Sequence, residues 1–270
     1  MMREGRFGRI MLKCAAALAL AYILLPLFFV FWLSIFKQEI PSFPPDGYSL
    51  RWFSAIADYR EFAGGFLLSL QVGVIATGFG LVLGVPAALV IVRAPLKGRS
   101  VLNSLLLAPM VVPGVVLGTS LYVFQIEAEI ATGLPIMGSF AGLVIAHILI
   151  VVPWTVRLVC ANLVGIDRTI EEAAYNLGAG PVTTFFKITL PMIRPGLVAA
   201  TLFGFVASFG NLEMSLFLVG PGRTTLPIAI LQYLEWKIDP TVAAASVLQI
   251  ALIAVALLVT DHYVKLSRVV

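Results

Sequence analysis

Six long apolar runs, near residues 14–36, 63–92, 101–125, 139–160, 196–219 and 241–262, leave this chain few ways to fold. A run of about 20 apolar residues matches the hydrocarbon thickness of a bilayer when it is wound as a helix. The bilayer core offers no water to backbone polar groups, so only helices and closed barrels cross it, and runs of this length are helices. Composition agrees, since 60% of the 270 residues are hydrophobic and 12% are charged, far from the balance of a soluble domain. The expected fold is an all-α integral membrane protein of six transmembrane helices. Residues 1–270 are expected to form a single transmembrane domain, with a polar loop at 161–195 between the fourth and fifth spans. The second run exceeds one crossing, so the stretch around Phe62–Ser69 is expected to emerge from the membrane or lie along its outer surface. Glu127, Glu129 and Pro135 are expected to mark a short connection after the third span.

Lysine and arginine set the orientation, because short positively charged loops are retained in the cytoplasm. With both termini cytoplasmic, thirteen of the 18 basic residues lie inside, and only Lys37, Arg51, Arg60, Arg223 and Lys237 lie outside. The opposite topology inverts that ratio. The inside set includes Arg3, Arg6, Lys265 and Arg268 as well as the loop residues Arg168, Lys187 and Arg194. The sequence pI of about 9.2 then reflects retention signals and contacts with membrane lipid, and no nucleic-acid partner is expected. The first run lacks a small-residue cleavage site and is read as a retained helix. Between the first two runs, Pro41, Pro44, Pro45 and Gly47 followed by Tyr48, Trp52 and Phe53 suggest an external loop with a segment lying on the surface.

Catalytic chemistry finds little support. The chain has no phosphate-binding Gly-x-x-x-x-Gly-Lys-Ser/Thr loop, no His-Glu-x-x-His pair and no Gly-x-Ser-x-Gly turn. Gly80 with Gly84, and Gly114 with Gly118, have the spacing of close helix packing rather than of ligand binding. Cys14 and Cys160 are expected as small buried hydrophobes. His147 and His262 lack ligand-like spacing, so no metal site is expected, and an interhelical hydrogen bond is the favoured role for His147 over a proton relay.

The 161–195 loop is too long and too polar to be a simple connection. Thr169 is expected to cap a short helix with Glu171 and Glu172 in its first turn, Ala173, Ala174 and Leu177 on one small apolar face, and Gly178 and Gly180 at its end. Pro181 is expected to start a second helix running to Thr189 and stopped by Pro191. Glu172-Ala173-Ala174, three residues, Gly178, nine residues, Ile188, one residue and Leu190-Pro191 together resemble the EAA loop of binding-protein-dependent ABC importer permeases. Six spans with this loop before the last two also resemble the type I ABC importer permease fold over nearly the whole chain.

The resemblance implies a role for each part. Glu172, Ala173, Ala174, Gly178, Ile188, Leu190 and Pro191 would form the segment that couples the spans to a cytoplasmic ABC ATPase dimer. ATP and magnesium would sit on that partner, and this chain would bind no cofactor and carry no catalytic residue. A second homologous permease, or a second copy of this chain, would complete the pathway. A periplasmic substrate-binding protein would deliver the solute across a bacterial inner membrane.

Ser208-Phe209, Ser215 to Leu218, Gly220-Pro221, Thr225-Leu226-Pro227 and Ile238-Asp239-Pro240 are similar to the second permease of the spermidine/putrescine-type group, whose relatives also carry iron or organophosphonates. Polyamine members commonly have an acidic pair where this chain has Gly210-Asn211. Glu213 is the only acidic residue well inside an expected span, where an unpaired carboxylate costs roughly 2.5 kcal/mol or more. Glu213, with Asn211 and Ser208, is therefore the candidate substrate-pathway set, and an interhelical hydrogen bond is the alternative role for Glu213. Two rival classes remain at this stage. A secondary transporter or channel wants intramembrane charge networks, and an intramembrane hydrolase wants a nucleophile paired with a base.

Overall fold

The structure, a computed structural model, describes the backbone of residues 6–264 and the side chains of 8–261. The side chains of Arg3, Arg6, His262, Lys265 and Arg268 thus lie outside the described residues. The described chain is helical, with one isolated bridge pairing Phe36 and Tyr48. Among the described residues, four helices are long and apolar enough to cross a membrane, and two sharply bent helix pairs, Arg99–Met110 with Gly114–Thr132 and Pro181–Met192 with Arg194–Phe209, raise the number to six if each pair is one span.

Two compact units are present, one formed by Met1–Phe62 with Ile230–Ala251 and the other by Ala63–Ala229 with Leu252–Val270. The first holds α1 (Arg6–Leu33) and the short α2 (Arg51–Asp58), a helix in the stretch where a surface-lying segment is expected. The Trp52 indole donates to the Phe36 carbonyl, and its ring is buried. Tyr59 stacks edge-on against Tyr233 at 5.0 Å, and Tyr233 donates to Asp239 Oδ2 at 2.8 Å. Lys237 donates to the Tyr59 hydroxyl, and that bond holds the Tyr59 pKa below its ordinary value. Asp239, part of the Ile238-Asp239-Pro240 motif, accepts from the Thr241 backbone at 2.9 Å and so caps α13 (Thr241–Val264).

The second unit is built around α6 (Phe140–Val164), which Ser139 caps by accepting from Gly142 N at 2.9 Å. Small residues let its neighbours approach closely. A Cβ on Gly80 or Gly84 of α3 (Arg60–Arg93) would fall on Val151 or Thr155 of α6. On α10 (Arg194–Phe209), a Cβ on Gly204 would lie 2.8 Å from Val151, and one on Gly196 would lie 2.7 Å from Asn162. Gly80 and Gly84 therefore pack helices, as their spacing suggested. The core between these helices contains Val85, Ala88, Val159, Leu163, Ile193 and Ala200.

Three spans differ from the hydropathy reading. The second is one continuous helix, α3, of 34 residues. At 1.5 Å per residue it is about 51 Å long, more than the roughly 30 Å of a hydrocarbon core, so Phe62–Ser69 continues the helix, which agrees with a stretch that emerges from the membrane rather than one that lies along its surface. The third is broken, with α4 (Arg99–Leu107) and a 3-10 turn at Ala108–Met110 meeting α5 (Gly114–Thr132) at a 99° bend. Pro113 is responsible, because proline lacks the N–H for an i to i−4 bond and pushes the residue before it out of helical geometry. Glu127 and Glu129 lie within α5 rather than in a connection. The helix stops at Gly133, at φ +70°, and the Glu129 carboxylate then accepts from Ile136 N at 2.9 Å and Met137 N at 2.8 Å. The fifth span also ends early, since α10 finishes at Phe209 and helix resumes only at α11 (Ser215–Leu218).

Candidate functional site: a coupling loop and a break in the fifth span

Two constellations in the second unit carry the functional candidates. The first is the loop after α6. Here Asp167, not Thr169, caps α7 (Thr169–Asn176), its carboxylate accepting from Thr169 N at 2.9 Å. The bonds from Thr169, helped by the nearby Arg93 charge, hold the Asp167 pKa below its ordinary value. Thr169 is instead the first helical residue. The adjacent glutamates then diverge, as neighbours on a helix 100° apart must. Glu172 is exposed and pairs loosely with Arg168 at 3.3 Å, a contact worth little in water. Glu171 turns inward. Its Oε2 lies 2.9 Å from Arg93 Nε as an ion-pair contact, and its Oε1 accepts from the Thr189 hydroxyl at 2.7 Å.

The same rotation divides the small residues expected on one face. Ala174 is buried, while Ala173 is exposed in line with Ile170 and Leu177, the last of these 89% exposed. Those three positions, spaced i, i+3 and i+7, make an apolar stripe that nothing in the described chain covers. The helix ends in a Schellman turn, with Ala179 N donating to Ala174 O at 3.0 Å and Gly178 N to Tyr175 O at 2.9 Å. That turn requires the left-handed φ of +85° found at Gly178.

Pro181 begins α8 (Pro181–Thr184), as expected, but Pro191 does not stop the run at Thr189. A π turn at Phe185–Thr189 widens the helix, Leu190 N bonding back to Phe185 O, and α9 (Leu190–Met192) carries it on. Widening accommodates the proline, which offers no N–H to the preceding turn. Leu190 and the neighbouring Ile193 pack into the core, Ile188 is half-buried and Pro191 is exposed. The motif thus has an outward set (Glu172, Ala173, Gly178, Pro191) and an inward set (Ala174, Ile188, Leu190).

The second constellation is the break at residues 210–214. Glu213 lies in this non-helical stretch rather than in the continuous helix expected, and its side chain is exposed in the single chain. Gly210 ends α10, and Asn211 Oδ1 accepts from Ser215 N at 3.2 Å, restarting the helix. Ser215 Oγ also donates to Asn211 Oδ1 at 3.2 Å and sits 3.1 Å from His147 Nε2. Ser208 Oγ lies 2.7 Å from the other ring nitrogen, Nδ1. A ring with its proton on Nε2 satisfies every bond, donating to Ser215 and accepting from Ser208. His147 is therefore an interhelical hydrogen-bonding residue, and it joins both of Glu213's candidate companions into one buried network.

Glu213 faces the other broken span. A Cβ on Gly114, the first residue of α5, would collide with its carboxylate, and one on Gly118 would lie 2.8 Å from Phe217 and 3.0 Å from Met214. The breaks at 111–113 and 210–214 therefore meet. Non-helical backbone at membrane depth survives only where protein covers it or water reaches it. Thr225-Leu226-Pro227, by contrast, serves as scaffold, with Leu226 N donating to Ser69 Oγ at 2.9 Å.

Up to six apolar spans, two non-helical breaks that meet at Gly114 and Glu213, and an exposed helix after α6 define the class as a multi-pass helical membrane protein. Residues 80–269 match the family described as "Binding-protein-dependent transport system inner membrane component", and the chain belongs to that family. It is thus an inner-membrane permease subunit of an ABC importer, a transport component rather than an enzyme.

Among curated relatives, it is 32% identical over 203 residues to the putrescine transport system permease protein PotI of Escherichia coli (strain K12), covering 75% of this chain and 72% of the relative. It is 33% identical over 213 residues to the molybdenum transport system permease protein ModB of Escherichia coli (strain K12), covering 75% and 93%. A chain of a bacterial ABC transporter that imports the acidic polysaccharide alginate shares the fold, with a TM-score of 0.74 at 16% identity over 97% of this chain and 98% of that one. The type I importer permease fold expected from the resemblance is the fold observed.

Proposed function

We propose that the chain forms half of a translocation pathway for a small cationic or amino-bearing solute, polyamines first, handed over by a periplasmic binding protein. Both termini are cytoplasmic in this reading, and a second homologous permease or a second copy completes the pathway. A cytosolic ABC ATPase dimer binds ATP with magnesium and grips α7, and this chain contributes no catalytic group or cofactor site.

The observation that carries the coupling role is the uncovered Ile170, Ala173, Leu177 stripe ending at Gly178, an apolar surface on a polar loop. Glu172 and Pro191 flank it, while Ala174, Ile188 and Leu190 hold it to the spans. Nucleotide-driven closure of the partner then moves the spans between inward- and outward-facing arrangements by differential affinity for the two states.

The cationic preference rests on Glu213, an exposed carboxylate at the junction of two broken spans, with Asn211 beside it and Ser208 supporting from behind. Similarity to a putrescine permease points the same way. Similarity to a molybdenum permease favours an anionic solute instead, and organophosphonate and iron carriers belong to the same wider group. A thermal-shift screen of the cognate binding protein against putrescine, spermidine, molybdate, ferric iron and a phosphonate separates these readings. A polyamine shift supports the proposal, and a shift with molybdate or the phosphonate alone overturns the substrate class. The ATPase is expected to co-purify with the permease, and uptake that persists without any ATPase overturns the importer mechanism for this chain.

Glu213→Gln keeps the side-chain shape and removes the charge. It is expected to raise the KM for uptake of the cognate solute about tenfold, the loss of one charge-assisted hydrogen bond of about 1.5 kcal/mol. Unchanged uptake kinetics would remove Glu213 from the pathway.

A further inference from the structure

Resting on the coupling role proposed for α7, we infer that the partly buried Glu171–Arg93 ion pair makes α3 a lever, carrying displacement of the coupling loop to the break in the fifth span. Chain continuity joins α7 only to α6 and α10. Glu171 and Arg93 are 78 positions apart, and Arg93 is the last residue of α3.

Three contacts converge on Arg93. Its Nε lies 2.9 Å from Glu171 Oε2, its Nη2 donates to Ile166 O at 3.2 Å, and its carbonyl accepts from Arg168 Nη1 at 3.5 Å. The paired side chains keep only 19% and 11% of their exposure, so each charge depends on the other rather than on water. Thr189, in the π turn, donates to the second oxygen of Glu171 and ties the same carboxylate to the approach to α10.

Twenty residues up α3 from Arg93, about 30 Å along a helix, Gly73 meets the fifth span. A Cβ there would stand 3.0 Å from the Phe205 ring and 3.7 Å from Phe209 Cβ, and Phe209 is the last helical residue before the Glu213 break. A continuous helix transmits displacement along its axis, and α3 stays one helix through Pro86, where the missing N–H leaves one backbone bond unmade. Motion of α7 thus reaches the break by two routes, through the chain into α10 and through Glu171 and α3. Glu171, Arg93 and Thr189 are positioning residues, since none touches the solute.

The test uses the complete transporter in proteoliposomes, with binding protein, and reads solute transported per ATP hydrolysed. Wild type and Gly178→Leu are run in parallel, so that a wild type whose hydrolysis does not respond to loaded binding protein sinks the coupling reading itself. Given a coupled wild type, Glu171→Gln and Arg93→Gln are expected to keep ATPase association and basal hydrolysis within about twofold while transport per ATP falls at least fivefold. The reversed pair, Arg93→Glu with Glu171→Arg, is expected to recover at least half of the loss, the non-additivity a direct interaction requires. Thr189→Val, a milder change, is expected to lower the ratio about twofold. A wild-type ratio in both single variants overturns the inference. So does a parallel fall of ATPase association, hydrolysis and transport that Thr189→Val does not separate, because that pattern marks a loop that merely fails to fold.

Discussion

Leucine in place of Gly178 is expected to reduce ATP-coupled uptake at least tenfold while the permease still inserts and folds. Gly178 adopts φ +85°, and a Cβ placed there meets nothing within 4 Å inside the chain. The substitution therefore disturbs no internal packing. It forces a side chain into left-handed backbone at a cost of about 1–2 kcal/mol, enough to favour unwinding of the Schellman turn. It also places a bulky group on the surface proposed to meet the ATPase. Comparison with Gly178→Asn separates these effects, since asparagine tolerates left-handed backbone. Asparagine is expected to restore the turn and recover part of the uptake. Wild-type uptake in the leucine variant, measured at equal permease abundance, would refute a docking role for this end of α7.

Gly80→Leu is expected to damage the fold itself. The Cβ alone would overlap Val151, whose Cγ1 also packs so close to α10 that a Cβ on Gly204 would stand 2.8 Å from it, so the valine has little room to give. Overpacking of this kind costs about 1–3 kcal/mol even in cores that adjust. At roughly 2–4 °C per kcal/mol, the midpoint of thermal unfolding in detergent should fall by about 5 °C or more. Gly78→Leu is the control, since a Cβ at Gly78 meets nothing within 4 Å and the position is exposed. Equal midpoints for the two variants would mean that α3 and α6 do not depend on this close approach.

Much of the architecture was legible because it follows from local properties. The number of apolar runs, the short helix α2 between the first two of them and the Gly178 terminus all depend on residues near one another in sequence. Prolines were harder to read. Pro113 breaks the third span with a 99° bend, whereas Pro191 is absorbed by a π turn and Pro153 sits inside an intact α6. The same residue type bends, widens or leaves the helix according to what packs around it. The loop motif was visible, but its orientation was not. Ala173 and Ala174 looked like one face until the structure turned the second inward, and Glu171 looked like a first-turn carboxylate rather than the partner of Arg93. The signal that was available is that Asp167, Glu171 and Glu172 outnumber the one local cation, Arg168, and excess charge in such a loop asks for a distant partner.

Hydropathy, the distribution of positive charge and the Glu172 to Pro191 spacing determined by themselves that this is a helical membrane permease with a surface loop before its last spans. These quantities add along the chain and need no knowledge of what faces what. Only the tertiary structure decided that two spans are broken, that their breaks meet at Gly114 and Glu213, that His147 joins Ser208 and Ser215, and that Glu171 reaches α3. Each of these is a contact between side chains or backbone groups far apart in sequence. Such contacts depend on direction and close packing, and the order of residues alone does not specify them.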